Sequence, residues 1–157
     1  MAALTEGTFM RNRILRTTLA VVTAFQIVLG LGFLVAPGPF AASLGLSAAP
    51  EWTNWMFAMF SARAFGFAYG MVLAFREPLR HRSWINAMIG VQAIDWIATV
   101  AFIATGAITL SQATTASFMP LVFIAGLLWG YPRLRDSRSL ASDEREGERN
   151  QVTLVQR

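Results

Sequence analysis

The apolar residues of this chain recur with neither a helical nor a strand period; they run together in four long blocks separated by short polar or proline-containing breaks. A segment needs about 20 mostly apolar residues to cross a hydrocarbon core of roughly 30 Å. Four blocks meet that length and predict four membrane-spanning helices. They lie at about 17–36, closed by Pro37-Gly38-Pro39; about 54–75, closed by Arg76-Glu77-Pro78; about 84–105; and about 114–131, closed by Pro132. Pro120 interrupts the fourth block, and its place is in the first turns of that helix, where a missing N–H costs least. The first block follows Arg11, Arg13 and Arg16, as a signal peptide would. Its apolar run exceeds the usual stretch of about 7–15 residues and no small-x-small cleavage site follows closely, so it reads as an uncleaved anchor.

Arginine placement orients the spans. Arg11, Arg13 and Arg16 precede the first block, within a basic segment 1–16. Arg76, Arg80 and Arg82 lie between the second and third, and six more follow the fourth, in a charged tail over 133–157. The connections 37–53 and 106–113 hold none. Positive residues mark the cytoplasmic side, which puts both termini inside. Trp52, Trp55, Trp84, Trp129 and Tyr131 fall near the span ends, as interfacial aromatic residues do. The fold expected is therefore all-α, a polytopic four-helix transmembrane bundle in a bacterial inner membrane. The outer connection around Phe40, Leu44 and Leu46 suits a short interfacial or re-entrant turn of helix. The tail mixes acids and arginines without an apolar period, as a mobile or surface-lying segment does.

Composition agrees and narrows the chemistry. Of 157 residues 55% are hydrophobic and 14% charged, against roughly 25% charged in soluble domains. All 13 basic residues are arginine, and cysteine is absent. That excludes disulfides, thiol chemistry and cysteine-held zinc or iron–sulfur centres. The single histidine, His81, sits between Arg80 and Arg82 in a solvated basic turn, so multi-histidine metal or pigment ligation is excluded too. No cofactor is called for. The cytoplasmic arginines suit anionic lipid head groups, at about 1 kcal/mol each near the surface, rather than nucleic acid.

Two charges fall within spans, Arg63 in the second and Asp95 in the third. Each costs about 2.5–3.5 kcal/mol at a helix centre. Both lie 13 positions from the basic turn, Arg63 from Arg76 and Asp95 from Arg82. At 1.5 Å per residue that is roughly 20 Å along antiparallel neighbours, so the two meet at one height. An ion pair pointing into the bundle is the expectation. Gln92, Asp95 and Thr99 share one stripe of the third span, and Thr23 and Gln26 bring polar groups from the first toward the same level. In the second span Ala58, Ala62, Gly66 and Gly70 recur every four residues, a small-residue stripe of the kind that packs membrane helices. Gly30 and Gly32 offer the first span a similar close approach. The pair has two readings: a packing determinant that fixes which helices meet, or the centre of a small polar cavity. Trp96, beside Asp95, points about 100° away on a helix. The methionines and phenylalanines read as packing or lipid-facing residues, and the tail acids Asp143, Glu144, Glu146 and Glu148 as partners of the neighbouring arginines.

Val35-Ala36-Pro37, Phe40, Leu44-Gly45-Leu46, Arg63-Ala64-Phe65-Gly66, Gly70, Pro78 with its basic turn, and Gln92 with Asp95 form a set. In these features the stretch 30–99 resembles a diffuse group of small four-helix bacterial inner-membrane proteins of uncharacterised function. The resemblance implies the four-helix architecture and Arg63 with Asp95 as a unit; it carries no chemistry across.

Tiny loops and the lack of catalytic constellations favour a non-catalytic accessory or assembly subunit that joins a larger membrane complex through small-residue helix faces. The alternative is a small transporter, or a binder of hydrophobic or anionic ligands, that uses the central polar layer as a homo-oligomer. An intramembrane enzyme ranks last, because Asp95 is the sole acid in the spans and no histidine accompanies it.

Overall fold

A computed structural model describes residues 2–46 and 50–132, and all secondary structure among them is helical. The elements are α1 (Ala2–Val35), α2 (Pro37–Ser43), α3 (Thr53–Arg76), α4 (Arg82–Ala104), α5 (Leu110–Ala113), a 3-10 turn (Thr114–Ser117) and α6 (Met119–Trp129). The charged tail expected over 133–157 lies outside the described residues.

Three helices are long and apolar enough to cross a membrane: Phe9–Val35 within α1, Thr53–Arg76 and Arg82–Ala104. They coincide with the first three expected spans, with one extension. α1 begins at Ala2, because arginine and asparagine end an apolar run without ending a helix, and no proline intervenes before Pro37.

The fourth apolar block is broken. It forms the 3-10 turn and then α6, whose 11 residues measure about 16 Å at 1.5 Å per residue, while α5 falls in the connection before it. Proline disfavours helix in the residue before it and suits a helix start, so Pro120 opens α6 rather than continuing an earlier helix. The outer connection holds α2, whose Phe40 packs edge-on against Phe33 at 5.0 Å. α4 ends in a Schellman turn. Gly106, at φ 72°, donates to the Ile103 carbonyl, and Ala107 to that of Phe102.

Contacts along the helices set their directions. Arg16 lies over Phe75, Gly30 faces Phe65, and Phe33 stacks on Phe57 at 4.7 Å, so α1 and α3 run antiparallel. Leu15 meets Gly130, Thr18 meets Gly126 and Phe25 meets Phe123, so α6 runs antiparallel to α1 as well. Arg82 over Tyr131 and Trp96 bonded to Ser117 do the same for α4 and the fourth segment. Arg13, Arg16, Arg76 and Arg82 therefore gather at one end of the molecule.

That end holds the core. Leu15, Leu19, Val22, Met71, Ala74, Ile85, Met88, Phe123 and Leu127 form one buried cluster contributed by all four chain passes. At the far end Phe33 joins α1 to α2 and α3 through Phe40, Phe57 and Phe60. Arg82 closes the core at the arginine end. Its guanidinium donates to the Pro132 carbonyl and lies 5.8 Å from the Tyr131 ring centroid. Arg82→Leu removes a charge-assisted bond and a ring contact, for an expected loss of about 2 kcal/mol. Thermal unfolding in detergent, followed by helical circular dichroism, checks it; an unchanged midpoint contradicts the clamp.

Candidate functional site

The site expected from the charges is an Arg63–Asp95 ion pair inside the bundle. It does not form. Both residues are exposed, and neither side chain makes an ion pair or hydrogen bond with another described residue. The reason is visible in how α3 and α4 meet. Their contact runs through Trp84, in the first turn of α4, which presses against Gly70 and stands edge-on to Phe67 at 6.5 Å. Past that point α3 packs mainly on α1, through Phe57, Phe60 and Phe65, while α4 packs on the fourth segment. The buried positions of α4 stop at Gln92.

The contacts along the helices give the heights of the two charges. Phe65 abuts Gly30, which sets Arg63 within a turn of that glycine, roughly 20 Å from Arg16. Counted from the Gly70–Trp84 contact, Asp95 lies 11 residues toward the far end against 7 for Arg63, about one helical turn beyond it. Trp96, beside Asp95, donates to the Ser117 carbonyl at 3.1 Å.

Their rotation follows from the helical repeat. Arg63, Phe67, Gly70 and Ala74 lie on one line of α3, and Trp84, Met88, Val91 and Asp95 on one line of α4. These are the lines that touch at Trp84. Arg63 and Asp95 thus continue these lines beyond the Trp84 contact, exposed on adjacent helices with opposite charge.

The other expected site residues divide. Gln26 and Gln92 are buried, at 8% and 6% exposure, and both amides donate to the Met88 sulfur, at 4.0 and 3.5 Å. A thioether is a weak acceptor, so this contact orders the amides more than it holds them. Thr99 does not join the layer: its hydroxyl bonds back to the Asp95 carbonyl at 2.8 Å, as Thr23 does to Leu19. The polar layer therefore has two buried amides and two outward charges.

The expected packing stripe is corrected as well. Of Ala58, Ala62, Gly66 and Gly70, only Gly70 is buried, and a Cβ there would collide with the Trp84 indole. Ala62 and Gly66 are exposed, and a Cβ at Gly66 would meet nothing within 4 Å. The buried small residues of α3 beyond Gly70 are instead Ser61, Ala64 and Ala68. Gly30 accommodates Phe65 of α3, whereas Gly32 accommodates Phe40 of α2.

Two features had no counterpart in the sequence reading. Arg82 reads there as one more basic loop residue, yet it binds across to Pro132; the adjacent Trp84 was the available signal that this turn packs. The second is an open groove of about 480 Å³ at the arginine end, lined by Phe9, Asn12, Arg13, Arg16, Thr17 and Phe75 among others. Four residues spaced along α1 (Phe9, Arg13, Arg16, Ala20) form one wall, and Phe75 of α3, under the Arg16 guanidinium, the other.

The fold thus defines an all-helical protein with three helices fit to cross a membrane. Comparison with protein-family models, curated proteins and solved structures finds no match to the chain.

Proposed function

We propose that this chain is a multi-pass protein of a bacterial inner membrane that acts as a non-catalytic accessory or assembly subunit, docking to other membrane helices through the open α3–α4 face. The broken fourth segment completes the fourth pass, and the arginine end, with both termini, is cytoplasmic. One observation carries the reading: Arg63 and Asp95 are exposed within helices fit to span a bilayer. A charge facing lipid at that depth costs about 2.5–3.5 kcal/mol, so a partner surface that covers it is favoured over lipid. Exposed Ala62 and Gly66 beside Arg63 let another helix approach closely. The groove at the arginine end supports a second contact. Arg13, Arg16 and Asn12 suit an anionic head group, and Val21 and Phe75 suit the start of its acyl chain.

Particle mass in polymer nanodiscs cut directly from membranes tests the docking role. The wild-type chain is expected in particles containing more protein than one 17.2 kDa chain. Arg63→Leu and Asp95→Leu should each reduce that fraction about tenfold. A single lipid-coated chain in every case contradicts the reading. The same particles test the groove: Arg13→Ala with Arg16→Ala should lower retained anionic phospholipid severalfold, at about 1 kcal/mol per arginine. Unchanged lipid content removes that part.

A further inference from the structure

We infer that the occupant of the α3–α4 face is a second copy of this chain, docked about a two-fold axis along the membrane normal, with Arg63 of each copy paired to the partner subunit's Asp95. The inference rests on the membrane reading above and names its partner.

The geometry is self-complementary. A two-fold rotation about the membrane normal leaves every residue at its own depth, so two different residues can pair across the axis only if their depths differ by no more than a side chain's reach. Counted from the Gly70–Trp84 contact, Arg63 lies 7 residues and Asp95 11 toward the far end, so their backbones differ in depth by about 6 Å, which an extended arginine side chain spans. They also stand exposed on adjacent helices, one positive and one negative. Rotating such a face onto itself sets plus against minus twice, so each copy supplies what the other lacks and no third component is needed. A partner of a single charge sign would satisfy one charge and repel the other. Between the charges the surface allows close approach: Gly66, one turn from Arg63, has open space where a side chain would sit. Once the faces meet, the charges leave lipid for a protein interior.

The absence of cysteine makes the test clean. Gly66→Cys is introduced into two differently tagged copies, and disulfide formation is driven by copper phenanthroline in native membranes. Wild-type charges should give a crosslinked band at twice the monomer mass. With Arg63→Leu in both copies, or Asp95→Leu in both, the yield should fall about tenfold. When one copy carries Arg63→Leu and the other Asp95→Leu, one complete ion pair returns. Crosslinks should then reappear between unlike tags and stay low between like tags. That pattern cannot arise from a pair closed within one chain, nor from loss of folding.

No dimer band with wild-type charges, or equal crosslinking of like and unlike tags in the mixed sample, overturns the inference. A wild-type band to a different protein overturns it too while leaving the docking-subunit reading in place. Release of the chain from membranes by alkaline carbonate instead removes the membrane reading itself.

Discussion

Gly70→Leu is expected to destabilise the protein by about 3 kcal/mol, while Gly66→Leu, one helical turn away, leaves the stability of the monomer nearly unchanged. Both are glycines of α3 in the same four-residue repeat, and helix propensity favours leucine over glycine equally at each. The difference lies in what each one faces. At Gly70 the added carbons enter space held by the Trp84 indole, which is the bridge between α3 and α4. The ring has no easy retreat, because it also stands against Phe67 and borders the buried cluster. Forcing it out disrupts the packing between the two helices beside the buried cluster. At Gly66 the new side chain projects into open space. Unfolding of the two variants in detergent, where docking partners are removed, separates the cases. Equal losses contradict the Trp84 bridge.

Phe33→Ala is expected to cost about 3–5 kcal/mol, the usual range for deleting a buried aromatic ring. Phe33 is 7% exposed and touches three other rings: Phe40 and Phe60 edge-on at 5.0 and 5.6 Å, and Phe57 stacked at 4.7 Å. Through these rings Phe33 ties α1, α2 and α3 together at the end away from the arginines. The driving force is packing more than desolvation, since within a bilayer the lipid tails are as apolar as the side chains. Phe40→Ala should cost less, because Phe40 is half-buried and lies at the edge of the cluster. Unfolding midpoints of the two variants check the order. A smaller effect for Phe33→Ala than for Phe40→Ala contradicts the central place of that ring.

The sequence shows the helices well and their mutual rotation poorly, for a physical reason. Long apolar blocks mark α1, α3 and α4 because length and hydropathy are properties of each segment alone. Pro37, Pro78 and Pro120 mark their breaks for the same reason. Which side of a helix is covered depends on its neighbours, and membrane spans carry little amphipathic signal to report it. In α3 two lines of small residues compete, Ala58-Ala62-Gly66-Gly70 and Ser61-Ala64-Ala68. The second is the buried one, beside the Phe65 that Gly30 of α1 accepts. Nothing in α3 itself encodes that choice. Counting residues from the basic turn places Arg63 and Asp95 at a common height, whereas the Gly70–Trp84 contact sets them about one helical turn apart. The same count is blind to how α3 and α4 pack beyond Trp84, which leaves the two charges exposed. Height was legible to within a turn; contact was not. Arg82 shows the converse, a residue that composition assigns to a solvated turn and that packing draws across to α6.

Every functional reading depends on the chain crossing a bilayer with its arginine end inside, and cysteine labelling tests this most directly. Ser83 lies at the arginine end and Ala107 at the opposite end, both exposed, in a chain without native cysteines. In intact spheroplasts a membrane-impermeant maleimide should label Ala107→Cys and spare Ser83→Cys, which becomes reactive only after the membrane is opened. Labelling of both positions in intact spheroplasts, or of Ser83→Cys alone, would contradict the account.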